Sequence, residues 1–185
     1  MVQKNRAFYE FLDPMVFGPM NEEHLSAWID DRMTNAGVRA RRVGLRSHDL
    51  ARPSTRDVVQ VALRCFHNCR TKGEAEPEDV DAAFDDVVAE QEPLLLARWG
   101  ELTGLQQNVL RAVAADSEGL TRASSLSRFG LPSSGSASNT AAAMIDDGIL
   151  VRGDSRTGYA FDSPFFRRWV QRTTLGDVGL GEPPV

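Results

Sequence analysis

The 185-residue sequence contains few of the residues that catalytic and metal sites commonly use: it has two cysteines and three histidines. It also has no stretch approaching the roughly 18 consecutive apolar residues of a membrane-spanning helix. The N-terminus lacks the apolar run of a secretory signal peptide. We therefore expect a cytoplasmic protein that does not associate with membranes.

The cysteines and histidines are not spaced like a catalytic or metal site. Cys65 and Cys69 are four residues apart within a helical pattern, and the nearby His67 points to another face of that helix. No second ligand pair accompanies them, so two reduced, half-buried thiols are expected. His24 and His48 have no partner at the spacing of a nucleophile, a base and an orienting group. The sequence therefore predicts neither catalytic nor metal-binding residues.

The glycine-rich phosphate-binding motif G-x-x-x-x-G-K-[ST] (Walker A) is also missing, as is a Walker B motif. The two lysines, Lys4 and Lys72, follow no glycine-rich loop. Without that loop the chain lacks the backbone N–H cradle, the phosphate-binding lysine and the Mg²⁺-binding hydroxyl. We expect the chain by itself to be no enzyme and to bind no cofactor.

What the sequence does contain is enough apolar residues, 42%, for a packed core. The net charge of −5 is unevenly distributed. Residues 1–102 carry 13 basic and 18 acidic side chains, whereas residues 103–175 carry 8 and 6. The mildly basic second part is compatible with a nucleic-acid surface, and the acidic run at 74–86 is expected to be a solvated face.

Apolar spacing predicts a mainly α fold. Leu25, Trp28, Ile29 and Met33 form one stripe of a helix over 21–35. The same spacing predicts further helices over about 54–72, 78–90, 94–99, 103–113, 123–129 and 134–147. In the helix over 54–72, it places Leu63 on the buried side. A short helix over 43–50 is weakly indicated.

The second part of the chain continues with a different pattern. Residues 149–152 and 158–161 flank a polar tip and predict a β-hairpin. A last helix over 163–173 carries Phe165, Phe166 and Trp169 inward. Three helices, a hairpin and a helix in this order are typical of a winged helix, which is a helix-turn-helix with a β-wing.

Several segments, taken in chain order, resemble the C-terminal region of prokaryotic AAA+/STAND-type P-loop ATPases. The resemblance to the winged helix of that family rests on 102–112, Leu131-Pro132-Ser133-Ser134, Asp147-Gly148-Ile149-Leu150 and 162–169. The resemblance to its lid rests on 21–37 and on Ala51-Arg52-Pro53-Ser54-Thr55-Arg56-Asp57, which is similar to the G-x-P segment that opens the nucleotide-facing lid helix. Phe8-Tyr9-Glu10-Phe11 resembles the last core strand of the ATPase domain.

This resemblance implies four segments. Residues 1–20 are a remnant strand and loop of an ATPase core, 21–101 a helical lid-like bundle, 102–175 a winged-helix domain and 176–185 a flexible tail. The implied function is that of the non-catalytic C-terminal lid and winged-helix portion of an AAA+/STAND-like ATP-binding protein, acting as an interaction or regulatory module. Its implied partner is a missing or separate P-loop domain, which alone would bring ATP and Mg²⁺.

Two alternatives remain open. The chain is either a stand-alone winged-helix transcriptional regulator that binds DNA, or a piece that completes a P-loop ATPase in trans through the strand at 8–12. The second part carries a positive charge, which motivates the DNA alternative.

Two groups of residues are candidates for binding. Arg52, Pro53 and Arg56 are implied to face a nucleotide, and a guanidinium fixed at a helix start suits an anion. Ala51 stands where the family usually has glycine. The candidate contacts to DNA or a partner are Ser133, Ser134, Ser136, Ser138, Asn139, Arg152 and Arg156. Because residues 131–147 contain no lysine or arginine, we favour a protein partner over DNA.

Overall fold

The computed structural model describes residues 20–175. The predicted strand at 6–12 and the predicted tail at 176–185 lie outside these residues. Within them the fold is mainly α-helical, as the spacing predicts. The elements are α1 (Glu22–Asn35), β1 (Arg39–Ala40), α2 (Val43–Ala51), α3 (Thr55–Cys69), β2 (Glu74–Ala75), α4 (Pro77–Glu90), α5 (Glu92–Gly100), α6 (Gly104–Ala114), α7 (Ala123–Arg128), α8 (Ser134–Asp146), β3 (Leu150–Arg152), β4 (Tyr159–Phe161) and α9 (Pro164–Thr174).

Polar side chains cap the first turns of several helices. The side chain of Asn21 accepts a hydrogen bond from the backbone N–H of His24 at the start of α1. Ser54 caps α3 in the same way, and Thr103 forms a reciprocal capping box with Gln106 at the start of α6. Each cap satisfies backbone N–H groups that have no partner inside the helix, which sets the first residue of each helix.

A short parallel strand pair was not predicted. β1 pairs with β2 in the register Arg39 with Glu74 and Ala40 with Ala75. Two-residue strands have no detectable alternation, and their pairing joins segments more than 30 residues apart in sequence. The pair connects the end of α1 to the start of α4. The other two strands, β3 and β4, form the predicted antiparallel hairpin.

Helices α1 and α2 approach each other closely where Gly44 meets Ser26. A Cβ atom built on Gly44 would lie 2.2 Å from the backbone oxygen of Ser26, so only glycine fits. The backbone N–H of Gly44 also donates to Asp30 Oδ1 at 2.7 Å. This contact fixes the separation of the two helices.

The predicted buried faces of α1 and α3 are partly wrong. Leu63 is 54% exposed and Trp28 is 48% exposed, whereas Val61 and Cys65 are fully buried. Both helices carry more apolar surface than one packing face can cover, so the spacing alone does not select the buried side. The exposed apolar residues line a shallow groove of about 190 Å³ between α1 and α3, which also includes Phe66.

The first and second parts of the chain share one continuous core, which extends from Leu25 to Val170. Phe84 of α4 packs on Phe165 of α9, with ring centroids 5.2 Å apart. Trp99 packs edge-on to Trp169 at 5.8 Å. The aromatic residues of the last helix are buried, as predicted, and they hold α9 against the helical bundle.

No helix between residues 20 and 175 combines the length and the apolar character needed to cross a bilayer.

Candidate functional site

A cleft of about 410 Å³ lies where the first part of the chain meets the second. Its walls come from the start of α3, from α5, and from the turn between β4 and α9. The residues that line it are Pro53, Ser54, Arg56, Asp57, Gln91, Leu94, Leu95, Arg98, Asp162, Ser163 and Phe165. The lining combines arginines, carboxylates, hydroxyls and leucines, so the cleft has both a polar and an apolar side.

The first wall is the start of α3. Ser54 caps the helix by accepting from the backbone N–H of Asp57 at 3.3 Å. The Asp57 side chain is buried, and its Oδ1 accepts from Arg56 Nε at 3.2 Å. The side chain of Arg56 is 89% exposed, so most of its donors remain available to a ligand or a partner.

The opposite wall carries Arg98 and the start of α9. Arg98 donates to the backbone oxygen of Gly148 at 3.2 Å, and its guanidinium lies 5.5 Å from the ring centroid of Phe166. Ser163 caps α9 by accepting from the backbone N–H of Phe166. The cleft is therefore lined by the N-terminal ends of two helices, whose partial positive charge favours an anion.

The cleft carries charges of both signs, because two arginines and two helix N-termini face Asp57 and Asp162. It can hold a group that offers both an anion and an apolar surface.

The structure brings together two of the three residues that were predicted to face a nucleotide. Pro53 and Arg56 line the cleft. Arg52 is the C-cap residue of α2 and is exposed, but it does not line the cleft. Arg98, Asp162 and Ser163 were not predicted for this site, because they approach α3 only through the packing of α5 and α9.

The second predicted group is spread over two elements. Ser133 caps α8 by accepting from the backbone N–H of Ser136, and Ser134 and Asn139 are exposed on the same helix. Ser136 and Ser138 are partly buried beside them. No hydrogen bond or ion pair in the part of the chain that the structure describes joins these residues to the two hairpin arginines.

The hairpin arginines lie near a different loop. Arg152 is exposed, and its guanidinium lies 4.8 Å from the ring centroid of Tyr159. A Cβ atom built on Gly119 would lie 3.8 Å from the backbone oxygen of Arg156 and 3.5 Å from Cγ of Arg122. The backbone of Arg156 and the side chain of Arg122 are therefore close to each other, and Arg122 is also paired with Glu118 at 3.5 Å.

The cysteines are buried and free, rather than half-buried as predicted. Burial and the neighbouring Cys69 raise the pKa of the Cys65 thiol to about 12, and burial also raises the pKa of Cys69. Since the thiolate is the form that binds metals and attacks electrophiles, the raised pKa lowers the reactivity of both thiols. A different group, formed by Glu22, His48 and Asp49, brings three potential metal ligands together.

No known family model, curated protein or solved structure matches this chain.

Proposed function

We propose that the chain is the non-catalytic lid and winged-helix portion of an AAA+/STAND-like ATP-binding protein and acts as an interaction or regulatory module. In this proposal, α1 to α5 are the lid. The elements from α6 to α9 are the winged helix, in which β3 and β4 form the wing. The nucleotide is bound by a P-loop domain outside residues 20–175, and the lid contributes contacts to it.

The observation that carries the proposal is the position of Arg56. It stands in the first turn of α3, its side chain is 89% exposed, and it lies at the edge of the cleft between the two parts. An arginine opposes the positive end of a helix dipole, so an anion bound there would compensate both charges. A nucleotide phosphate presented by a neighbouring domain fits this chemistry.

The contacts between the two parts support a regulatory role. Arg168 of α9 donates to Asp85 of α4 at 3.0 Å, and Arg172 lies 3.5 Å from the same carboxylate. Together with the aromatic contacts of α9, they join the lid to the winged helix. Closure of the lid over a nucleotide would therefore reposition α8 and the hairpin, which are the surfaces offered to a partner.

The proposal is tested on the polypeptide as the source cell makes it. An antibody against residues 103–175 is expected to detect a band much larger than 20.4 kDa. In that polypeptide, Arg56→Ala is expected to lower ATP turnover on the order of a hundredfold or more, because a phosphate-contacting arginine stabilises transition-state charge. Arg70→Ala, which removes an exposed arginine at the other end of α3, is the control and should match the wild type.

The 185-residue chain itself is expected to hydrolyse no ATP above background. Hydrolysis by this chain that disappears in Arg56→Ala would overturn the non-catalytic part of the proposal. A cellular band at 20.4 kDa would overturn the joined P-loop domain and favour either assembly in trans or the alternative below.

The alternative is a winged-helix DNA-binding regulator, and the exposed Arg152 and Arg156 of the hairpin favour it. Phosphate contacts by these side chains would make DNA binding weaken as salt increases. A gel shift that Arg152→Ala and Arg156→Ala weaken would support it. The absence of basic residues from α8 is the reason for ranking a protein partner first.

A further inference from the structure

Three side chains with metal-binding atoms converge where the first turn of α1 meets the last turn of α2. Glu22 is the first residue of α1, and His48 and Asp49 lie near the end of α2. One ligand atom from each residue lies within 4.8 Å of the other two. Glu22 is 26 and 27 positions from His48 and Asp49, so only the packing of α1 on α2 brings it to them.

The close crossing of Ser26 and Gly44 makes this group rigid. Glu22 precedes Ser26 by four residues, and His48 follows Gly44 by four residues. Each side chain is therefore one helical turn from the crossing, on the side that faces the other helix. Since no Cβ atom separates the helices at Gly44, backbone contact holds the helix turns that carry Glu22 and His48 close together.

His48 provides an independent indication of a ligand. Its side chain is only 15% exposed, and its Nδ1 is shielded from solvent without a hydrogen-bond partner among the described residues. A buried polar atom without a partner costs free energy, and native structures contain few of them. The nearest carboxylate oxygen, Glu22 Oε2, is 3.6 Å from Nδ1, which is too far for a hydrogen bond.

That separation suits two ligands of one metal ion. Zn²⁺ binds histidine nitrogen and carboxylate oxygen at about 2.0–2.2 Å in a tetrahedral arrangement, which places neighbouring ligand atoms roughly 3.4 Å apart. One nitrogen and two carboxylates also match the preference of Zn²⁺ better than that of Ca²⁺, which takes six to eight oxygen ligands. Glu22 and Asp49 are exposed, so water can reach a fourth position.

We propose that Glu22, His48 and Asp49 form a Zn²⁺ site that fastens the first turn of α1 to the last turn of α2. Water completes the coordination. The site is separate from the nucleotide contact proposed above, because the two share no residue. The cysteines of α3 are buried, and burial raises the pKa of both thiols, which disfavours the thiolate form that a metal ion binds.

The test uses the full 185-residue chain after removal of metals with EDTA. Titration calorimetry with Zn²⁺ at pH 7 is expected to show one ion per chain. At a free Zn²⁺ concentration a hundredfold above the Kd, the Tm is expected to rise by about 5 °C or more. His48→Ala is expected to remove both effects, whereas His67→Ala, which removes an exposed histidine of α3, should retain them.

Conservative variants separate metal binding from folding. Glu22→Gln and Asp49→Asn keep the shape of each side chain, so their Tm in EDTA should match the wild type while the Zn²⁺-dependent rise is reduced. Co²⁺ in place of Zn²⁺ should give a visible spectrum without a thiolate charge-transfer band. The proposal is overturned by an unchanged wild-type Tm at millimolar Zn²⁺, by binding that survives in His48→Ala, or by a thiolate band that locates the ion on the cysteines.

Discussion

The helical bundle of residues 20–101 and the part formed by residues 102–175 are stabilised in different ways. In the bundle, the buried side chains are mostly small and aliphatic, and ion pairs cross between helices at its surface. Arg46 pairs with Asp81, Arg64 with Glu90, and Lys72 with Asp79. In the second part, the core adds to its aliphatic side chains several buried aromatic rings, which are those of Phe129, Tyr159, Phe161, Phe165, Phe166 and Trp169.

This difference follows from how closely the elements approach. Small residues let the helices of the bundle come near to each other, as at Gly44, and their long charged side chains then meet across the gap. The second part has short elements and few helix pairs, so large rings fill its interior. The comparison predicts that the second part is most sensitive to the loss of a buried ring, whereas the bundle is sensitive to an added atom where two helices approach closely.

The largest effect is expected from removing the central ring of the second part. Phe166 is 1% exposed and lies near Phe161, Trp99 and Trp169, with centroids 5.8–6.4 Å away. Phe166→Ala should lower the free energy of unfolding by about 3–5 kcal/mol, because it leaves a cavity. Urea denaturation measures the loss. Leu63→Ala, at an exposed apolar site in the bundle, should cost less than about 1 kcal/mol; equal losses would contradict the comparison.

A smaller loss is expected at the helix crossing of the bundle. Gly44→Ala should lower the free energy of unfolding by about 1–3 kcal/mol, because the new Cβ atom would meet the backbone of Ser26 at 2.2 Å. The matched control is Gly135→Ala in α8, where a Cβ atom meets nothing within 4 Å. There the higher helix propensity of alanine should stabilise the protein by up to about 1 kcal/mol. A stabilising Gly44→Ala would show that the crossing is not rigid.

The smallest of the three effects depends on pH. Asp79 Oδ2 accepts from the backbone N–H of Glu76 at 2.9 Å and pairs with Lys72. The Glu76 backbone hydrogen bond, followed by Lys72, lowers the pKa of Asp79 in the folded protein. A lowered folded-state pKa means that this stabilisation is present above the unfolded-state pKa of about 3.9 and is lost as the pH falls through the folded-state pKa.

Asp79→Ala should therefore destabilise the bundle by about 1 kcal/mol at pH 7, which is typical for loss of a helix cap. The difference from the wild type should shrink below pH 4, as measured by urea denaturation across the pH range. Asp31→Ala, at an exposed position of α1, should change the stability by less than about 0.5 kcal/mol at every pH. A pH-independent cost of Asp79→Ala would assign the effect to packing instead of charge.

Local signals account for the parts of the fold that were predicted correctly. Apolar spacing located most helices to within a few residues, and the caps at Asn21, Ser54 and Thr103 account for where three of them start. The hairpin was predictable because a polar tip separates two short apolar runs. The sequence did not predict the β1–β2 pair or the exposed side of α3. Both depend on which distant segment packs against them.

The candidate sites also contain some residues that the sequence predicts and others that only the packing of distant segments brings together. Arg56 and Pro53 were predictable as the start of a helix that suits an anion. Arg98, Asp162 and Ser163 join them only through the packing of α5 and α9. His48 appeared isolated in the sequence, because Glu22 lies on another helix. The group could have been predicted only by knowing that α1 and α2 cross at Ser26 and Gly44.

The amino-acid sequence by itself determined the helical class, the helix starts, the hairpin and the lack of a phosphate-binding loop, because each depends on residues within a few positions of one another. Only the tertiary structure decided the cleft between the two parts and the group formed by Glu22, His48 and Asp49. These sites join residues that are distant in sequence, so their geometry depends on how closely the helices pack. Single positions such as Gly44 set that separation.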